Sequence, residues 1–288
     1  MRLCRFNNGG RLGLGIVEGA SLRDVTAALD VLPSYRYPLP SSDPLIANLE
    51  AVAARARTIA PAAPSLPLSA VTLLSPVANP GKLVAAPVNY QKHLDEVKGD
   101  AGLHHQNPIN TIHKAGLFLK ATSALVGAGE GIALRQLDRR NDHEVELAFV
   151  IGKRANQVSR ADALAFVAGY CIGLDITIRG PEERSFRKSA DSYAVLGPWL
   201  VTADEIPDPE ALDLSLSVNG DVRQQSNTRN LTLGVAEIVE LASSFYTLHP
   251  GDVVFTGTPE GVGPIEPGDT IVASIERIGS MEVKVRAA

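Results

Sequence analysis

Glu144 and Glu146, separated by one valine, and Asp175, set in an apolar run, are the residues of this sequence whose types and spacing point to chemistry. Residues 143–152 (HEVELAFVIG) alternate like a strand. Successive strand side chains face opposite ways, so Glu144 and Glu146 share one face and Val145 and Leu147 the other. Residues 170–178 (YCIGLDITI) form a second strand-like stretch that Asp175 interrupts. Three carboxylates so placed repel one another unless a cation lies between them, and a hard divalent ion such as Mg²⁺ is the usual remedy. The plain alternative is a set of solvated or salt-bridged acids.

Other side chains fit a site around such an ion. His93 and Glu96 are three apart and share a face if residues 90–97 are helical. A histidine suits proton transfer, because its unperturbed pKa lies near 6.5; alone, the pair is an ordinary surface histidine beside a glutamate. Arg179 and Lys188 would clamp an anionic substrate, although Arg184 and Arg187 make a solvated basic stretch the plain reading. Thr256-Gly257-Thr258 offers backbone N–H groups and a hydroxyl to a carboxylate, or is simply a turn. Trp199 is expected to pack. His104, His105 and His113 are too irregularly spaced to favour a second metal site.

The elements that must position these groups follow from local pattern. Residues 3–6 and 12–17 read as strands joined by a turn at 7–10, and residues 46–59 carry helical spacing. Prolines at 61, 64 and 67 suggest a linker over 60–67, with the domain boundary at 75: a small N-terminal α/β unit over 1–75 and a catalytic domain over 76–288. Short strands are expected at 82–87, 116–120 and 144–151. Residues 98–114 look like a mobile lid. Ser159 opens an expected helix through Ala168, so that strand, helix and strand form a crossover joining Glu144, Glu146 and Asp175. Pro-Gly-Asp turns at 250–252 and 267–269 each feed an apolar strand.

At 288 residues, with 45% hydrophobic and 20% charged content, the chain suits an ordinary globular protein. A net charge of -5 without basic runs argues against nucleic acid as a partner. No apolar run approaches bilayer-spanning length, and the first ten residues lack a signal-peptide core. Two distant cysteines, Cys4 and Cys171, argue against a disulfide framework and for the cytoplasm. A Walker loop, a dinucleotide fingerprint and a Gly-x-Ser-x-Gly elbow are missing.

Taken in order, Asn89-Tyr90 with His93 and Glu96, Phe118-Leu-Lys120, Glu144-Val-Glu146, Asp175 with Arg179, Lys188, Gly197-Pro-Trp and Thr256-Gly-Thr-Pro resemble the fumarylacetoacetate hydrolase family. The resemblance covers roughly residues 80–288, and residues 1–18 are similar to the small N-terminal domain of bacterial members. It implies an α+β, mostly β fold with a mixed β-roll or sandwich catalytic domain, commonly dimeric. It implies Mg²⁺ or Mn²⁺ on Glu144, Glu146 and Asp175, with Ca²⁺ as a substitute a crystal could hold. His93 and Glu96 match a dyad on a closing lid, with His93 activating water. Lys188 matches a metal-proximal catalytic residue, and Arg179, Lys120, Tyr90 and Thr258 match substrate contacts. Two departures stand out: the segment between Asp175 and Lys188 is shorter than in many relatives, and alanine rather than proline follows Lys120.

The resulting expectation is a cytoplasmic, homodimeric metal-dependent hydrolase that cleaves a carbon–carbon bond in a 2,4-dioxo acid such as an acylpyruvate, in aromatic compound catabolism. Decarboxylation of oxaloacetate, enol–keto isomerisation and dienoate hydration share the architecture. A catalytically silent metal-binding scaffold and a structural Ca²⁺ site are the alternatives from other classes.

Overall fold

The structure, a computed structural model, describes residues 1–105 and 109–288. Its centre is strand Val145–Ile151, buried at every position. Val145, Leu147, Phe149 and Ile151 join the larger core cluster, whereas Ala148 and Val150 join a second one on the opposite side of the sheet. Side-chain alternation therefore splits one strand between two cores. Strand Val167–Asp175 obeys the same rule, with Tyr170, Ile172 and Leu174 on the first side and Cys171 on the second. Glu146 and Asp175 continue the second side.

These two strands pair antiparallel, Val145 opposite Leu174 and Glu146 opposite Gly173. The expected crossover is thus replaced by an antiparallel return. Its expected helix at 159–168 shrinks to a 3-10 turn, Ala163–Phe166, because the apolar run from Val167 onward extends into the sheet. Asp162 stands at the N-terminal boundary of that turn without a side-chain cap, and its carboxylate accepts the Ser159 hydroxyl at 2.7 Å. The Asp175 N–H donates to the Glu144 carbonyl at 2.9 Å, so pairing itself brings the acids together.

The described residues form a sheet of 12 strands, with smaller ones of 5 and 3. Strands Asp213–Val218, Thr270–Ile275 and Gly279–Ala287 of the second sheet place Leu214, Leu216, Ile271, Ala273, Met281 and Val283 in the first core. Helix Val235–Phe245 adds Val235, Ile238, Val239 and Ala242, a single apolar stripe at helical spacing. The result is a two-sheet sandwich flanked by short helices, an α+β arrangement dominated by strands.

The N-terminal hairpin, Arg2–Asn8 and Arg11–Glu18, turns through Gly9 and Gly10, both at positive φ. Arg2 pairs with Val201, so the hairpin is hydrogen-bonded into the main sheet. Helices Pro44–Ala47 and Leu49–Ile59 follow, split at Asn48. Val52 and Ala56 pack with Leu14, Val25 and Ala28 in a separate small core. The expected linker at 60–67 is ordered instead: Ala60–Ala62 is a 3-10 turn and Ser65–Pro67 an edge strand on Ser21–Asp24. Edge positions tolerate proline because its missing N–H faces outward. Helices Ala101–His104 and Ile112–Ala115 occupy part of the expected lid; residues 106–108 of it lie outside the described residues.

Candidate active site and metal centre

Glu144, Glu146 and Asp175 each offer an oxygen within 4.8 Å of the others, and all three are buried. They are the one such cluster of metal-ligating side chains among the described residues. Lys188 Nζ donates to Glu144 Oε2 and Asp175 Oδ2, both at 2.7 Å. Lys120 Nζ donates to Asp175 Oδ1 and, at 3.0 Å, to the Tyr193 carbonyl. Arg179 spans Asp142 (2.7 Å) and Glu144 (2.9 Å), and Thr177 adds its hydroxyl to Glu144 at 3.0 Å.

Glu146 differs from its neighbours. Its carboxylate accepts the Gly257 N–H at 2.7 Å and has no ion-pair partner among the described residues. Burial pushes the Glu146 pKa well above the usual carboxylate range, and the charges of Asp175 and Glu144 push the same way. Burial also works against the Glu144 carboxylate, but Lys188 and Arg179 more than offset it and hold the pKa far below that range. A buried, oxygen-only donor set with one uncompensated charge fits a hard divalent cation.

The supports come from afar in sequence. Gly257 sits at φ +96, and a Cβ there would lie 2.7 Å from Asn89 Cβ; only glycine delivers its N–H to Glu146. Asn89 is fully buried and clamps the segments together: its Nδ2 donates to Leu233 O and Thr256 O, and its Oδ1 accepts from Leu233 N, each at 2.8 Å. Gln224 accepts from Val145 N (3.0 Å), contacts His143 Nδ1 (3.1 Å) and donates to Thr258 Oγ1 (2.8 Å). Neither residue's role was foreseen. Asn89 stood in the recognised pattern, but Gln224 carried no local signal.

Helix Gln91–Gly99 buries His93, Leu94 and Val97. With its proton on Nδ1, His93 donates to Glu96 Oε2 at 2.8 Å, and Glu96 Oε1 accepts the Gly261 N–H at 2.9 Å. His93 lines the same cleft as Glu144, Glu146, Asp175, Arg179, Lys188 and Thr258. Lys120 and Tyr90 do not line it. Lys120 lies behind Asp175, and the buried Tyr90 hydroxyl has no hydrogen-bond partner among the described residues. Thr258 donates to the Val145 carbonyl at 2.8 Å. The N–H that the glycine turn was expected to offer a carboxylate serves Glu146 itself. Trp199 packs in the core and donates Nε1 to Ile278 O at 2.9 Å, as expected of a packing residue.

Residues 82–286 match the sequence profile of the fumarylacetoacetate (FAA) hydrolase C-terminal domain. The chain belongs to the fumarylacetoacetate hydrolase family. It is 61% identical to a maleylpyruvate hydrolase of Aquipseudomonas alcaligenes, across 100% of both chains. It is 35% identical to a mitochondrial oxaloacetate tautomerase of Bos taurus, across 99% of this chain and 91% of that one. The crystal structure of maleylpyruvate hydrolase from Sphingobium sp. SYK-6 in complex with manganese(II) and pyruvate shares 38% identity and superposes with a TM-score of 0.83 over 100% of both chains. The family expectation and the mostly-β α+β fold are both borne out.

Proposed function

We propose that the protein is a divalent-metal-dependent hydrolase that cleaves the carbon–carbon bond of an acylpyruvate, releasing pyruvate and a carboxylic acid. The observation that carries this reading is the meeting, in one cleft, of the oxygen triad and His93, which is hydrogen-bonded to Glu96. Kinship with two maleylpyruvate hydrolases supports it. Glu144, Glu146 and Asp175 hold Mg²⁺ or Mn²⁺, which when bound supplies Lewis-acid stabilisation of negative charge on the 2-oxo oxygen.

The protein's own residues do the rest. Glu96, fixed by the Gly261 N–H, keeps the His93 proton on Nδ1 and leaves Nε2 to accept a proton from water. The water oxygen bonds to the 4-carbonyl carbon as His93 takes its proton. The bond between carbons 3 and 4 then breaks, its electron pair leaves with the pyruvate half as an enolate, and carbon 3 takes the proton that His93 holds, which restores the neutral imidazole. Arg179 and Lys188 face the anionic end of the substrate. We place the enzyme in the cytoplasm as a homodimer. Cys4 and Cys171 are both free and buried, in keeping with a reducing compartment. No helix among the described residues is long and apolar enough to cross a membrane.

Proton NMR of the Mg²⁺-loaded protein with acetylpyruvate tests the reaction. Acetate and pyruvate should appear in equal amounts, and both should vanish with excess chelator and in Glu146→Ala. Bound metal without turnover, or turnover indifferent to chelator, refutes the assignment. Oxaloacetate run in parallel reports the decarboxylase and tautomerase chemistries of the same fold.

A further inference from the structure

Residues 256–263 run beside the strand that carries Glu146 and then depart from it. Ala148 pairs with Phe255 and His143 with Gly263, so five steps along one segment face eight along the other. The Thr256 N–H donates to the Leu147 carbonyl at 3.1 Å and the Thr258 hydroxyl to the Val145 carbonyl at 2.8 Å, so the surplus residues fall within 259–262. That turn supports helix Gln91–Gly99, which carries His93. The Gly261 N–H donates to Glu96 Oε1 at 2.9 Å, Val262 packs with Val97 and Leu103 in a small separate core, and Lys92 pairs with Glu260 at 3.4 Å. The turn is the seat of the helix that bears the base.

What fixes the seat comes from another sheet. Strand Asp221–Asn227 is an edge of the five-stranded sheet, and it buries only Gln224 and Asn227. Leu216 pairs with Gln224 and Ser217 with Val222, which leaves Arg223 as a β-bulge. Without the bulge, Gln224 would share a face with the exposed Val222; with it, Gln224 turns inward. There the Gln224 amide meets four partners. Its Oε1 accepts the Val145 N–H at 3.0 Å and lies 3.1 Å from His143 Nδ1, and its Nε2 donates to Thr258 Oγ1 at 2.8 Å and to the Pro259 carbonyl at 2.9 Å. The bulge also grips the turn directly: Gly261 has φ +92, and a Cβ there would lie 2.1 Å from the Arg223 carbonyl oxygen, so only glycine fits. One buried amide thus ties the backbone between Glu144 and Glu146 to the turn that seats the base.

We propose that Gln224 is a positioning residue for the general base: by pinning the 259–262 turn to Val145 it sets where His93 Nε2 stands relative to the carboxylate triad. Gln224 does not line the cleft, so it acts through Glu96 and His93 rather than on the substrate. A misplacement of about 1 Å caused far from the reacting atoms can cost about a hundredfold in rate. This reading rests on the role given above to His93 as the base that activates water.

A double-mutant cycle on the Mg²⁺-loaded protein, with acetylpyruvate as substrate, tests this. Gln224→Glu keeps an oxygen to accept from Val145 and replaces the nitrogen that donates to Pro259. It should lower kcat about tenfold to a hundredfold, while KM and the Mg²⁺ affinity read by calorimetry change less than about threefold. In a His93→Ala background it should cause no further loss. Gly261→Ala breaks the same seat from the side of the turn and should give the same pattern, which keeps the test intact should the buried glutamate hinder folding. An undiminished loss in the His93→Ala background, a parallel fall in Mg²⁺ affinity, or an unchanged kcat in both variants overturns the proposal. Nitrogen-15 NMR of the imidazoles, with His93→Ala to assign the signals, reads the same geometry without turnover. The wild type should hold the His93 proton on Nδ1, and both variants should move its signals toward a mixture of tautomers; unmoved signals in both overturn the proposal as well. Full turnover in His93→Ala, or a wild type that cleaves no acylpyruvate, removes the hydrolytic role of His93 instead, and the nitrogen signals then decide whether Gln224 positions the ring.

Discussion

Metal binding to this site should release about one proton, and that proton should come from Glu146. A metal ligand must be ionised, yet without the ion Glu146 is buried, faces Asp175 and Glu144, and has only the Gly257 N–H for support. Its pKa therefore stands well above 4.5, and it keeps a proton to higher pH than an ordinary carboxylate. Glu144 carries no such proton, since Lys188 and Arg179 keep it ionised. Between the ordinary carboxylate range and the raised Glu146 value, each unit of falling pH should weaken apparent Mg²⁺ affinity about tenfold, or about 1.4 kcal/mol. Above the raised value the dependence should flatten. Calorimetric titrations in buffers of different ionisation enthalpy read the protons released directly, as the slope of apparent enthalpy against buffer enthalpy. Glu146→Gln should abolish the release and weaken binding. A slope of zero in the wild type, or an unchanged slope in Glu146→Gln, would refute the assignment of Glu146 as the unpaired ligand.

The same charge arrangement sets stability. The native metal-free protein binds the Glu146 proton more tightly than the unfolded chain, so its stability should fall as pH rises through that window and level off above it; melting in chelator against pH checks this, and saturating Mg²⁺ should cancel the decline. Gly257→Ala meets a disfavoured φ and the Asn89 side chain, so it should cost about 2–4 kcal/mol and lower metal affinity, read by denaturant titration and calorimetry. Asn89→Ala strands the Leu233 N–H and two carbonyls and should cost about 3 kcal/mol. His93→Ala should reduce kcat by about a hundredfold to ten-thousandfold with metal affinity retained, and Glu96→Gln by less, because the Gly261 contact still orients the side chain.

Much of this site was legible because its chemistry follows local pattern. Strand alternation put Glu144 and Glu146 on one face, and the same period in residues 170–175 gave Asp175 its side of the sheet. What alternation cannot report is how strands join. Residues 159–168 held a helix-like signal, yet the return is antiparallel, since pairing register depends on partners far along the chain. The polar clamps were illegible for the same reason. Asn89 meets Leu233 across 144 positions and Gln224 meets Val145 across 79, and nothing near either residue announces the partner.

Lys120 and Arg184 show where residue type stops being informative. Both are cations near the triad, and the resemblance favoured Lys120 as a substrate contact while Arg184 passed for part of a solvated stretch. In the strand Phe118–Lys120 only Lys120 is fully buried, and its ammonium donates to Asp175, where it offsets carboxylate charge. Arg184 opens a four-residue helix instead, and its guanidinium lies over the ring of Phe118, two residues before Lys120, in the cleft. Direction, not charge, decides which cation can reach a ligand. It is set by backbone geometry that a composition-matched stretch such as 184–188 does not encode by itself. Arg184 lies in the segment between Asp175 and Lys188.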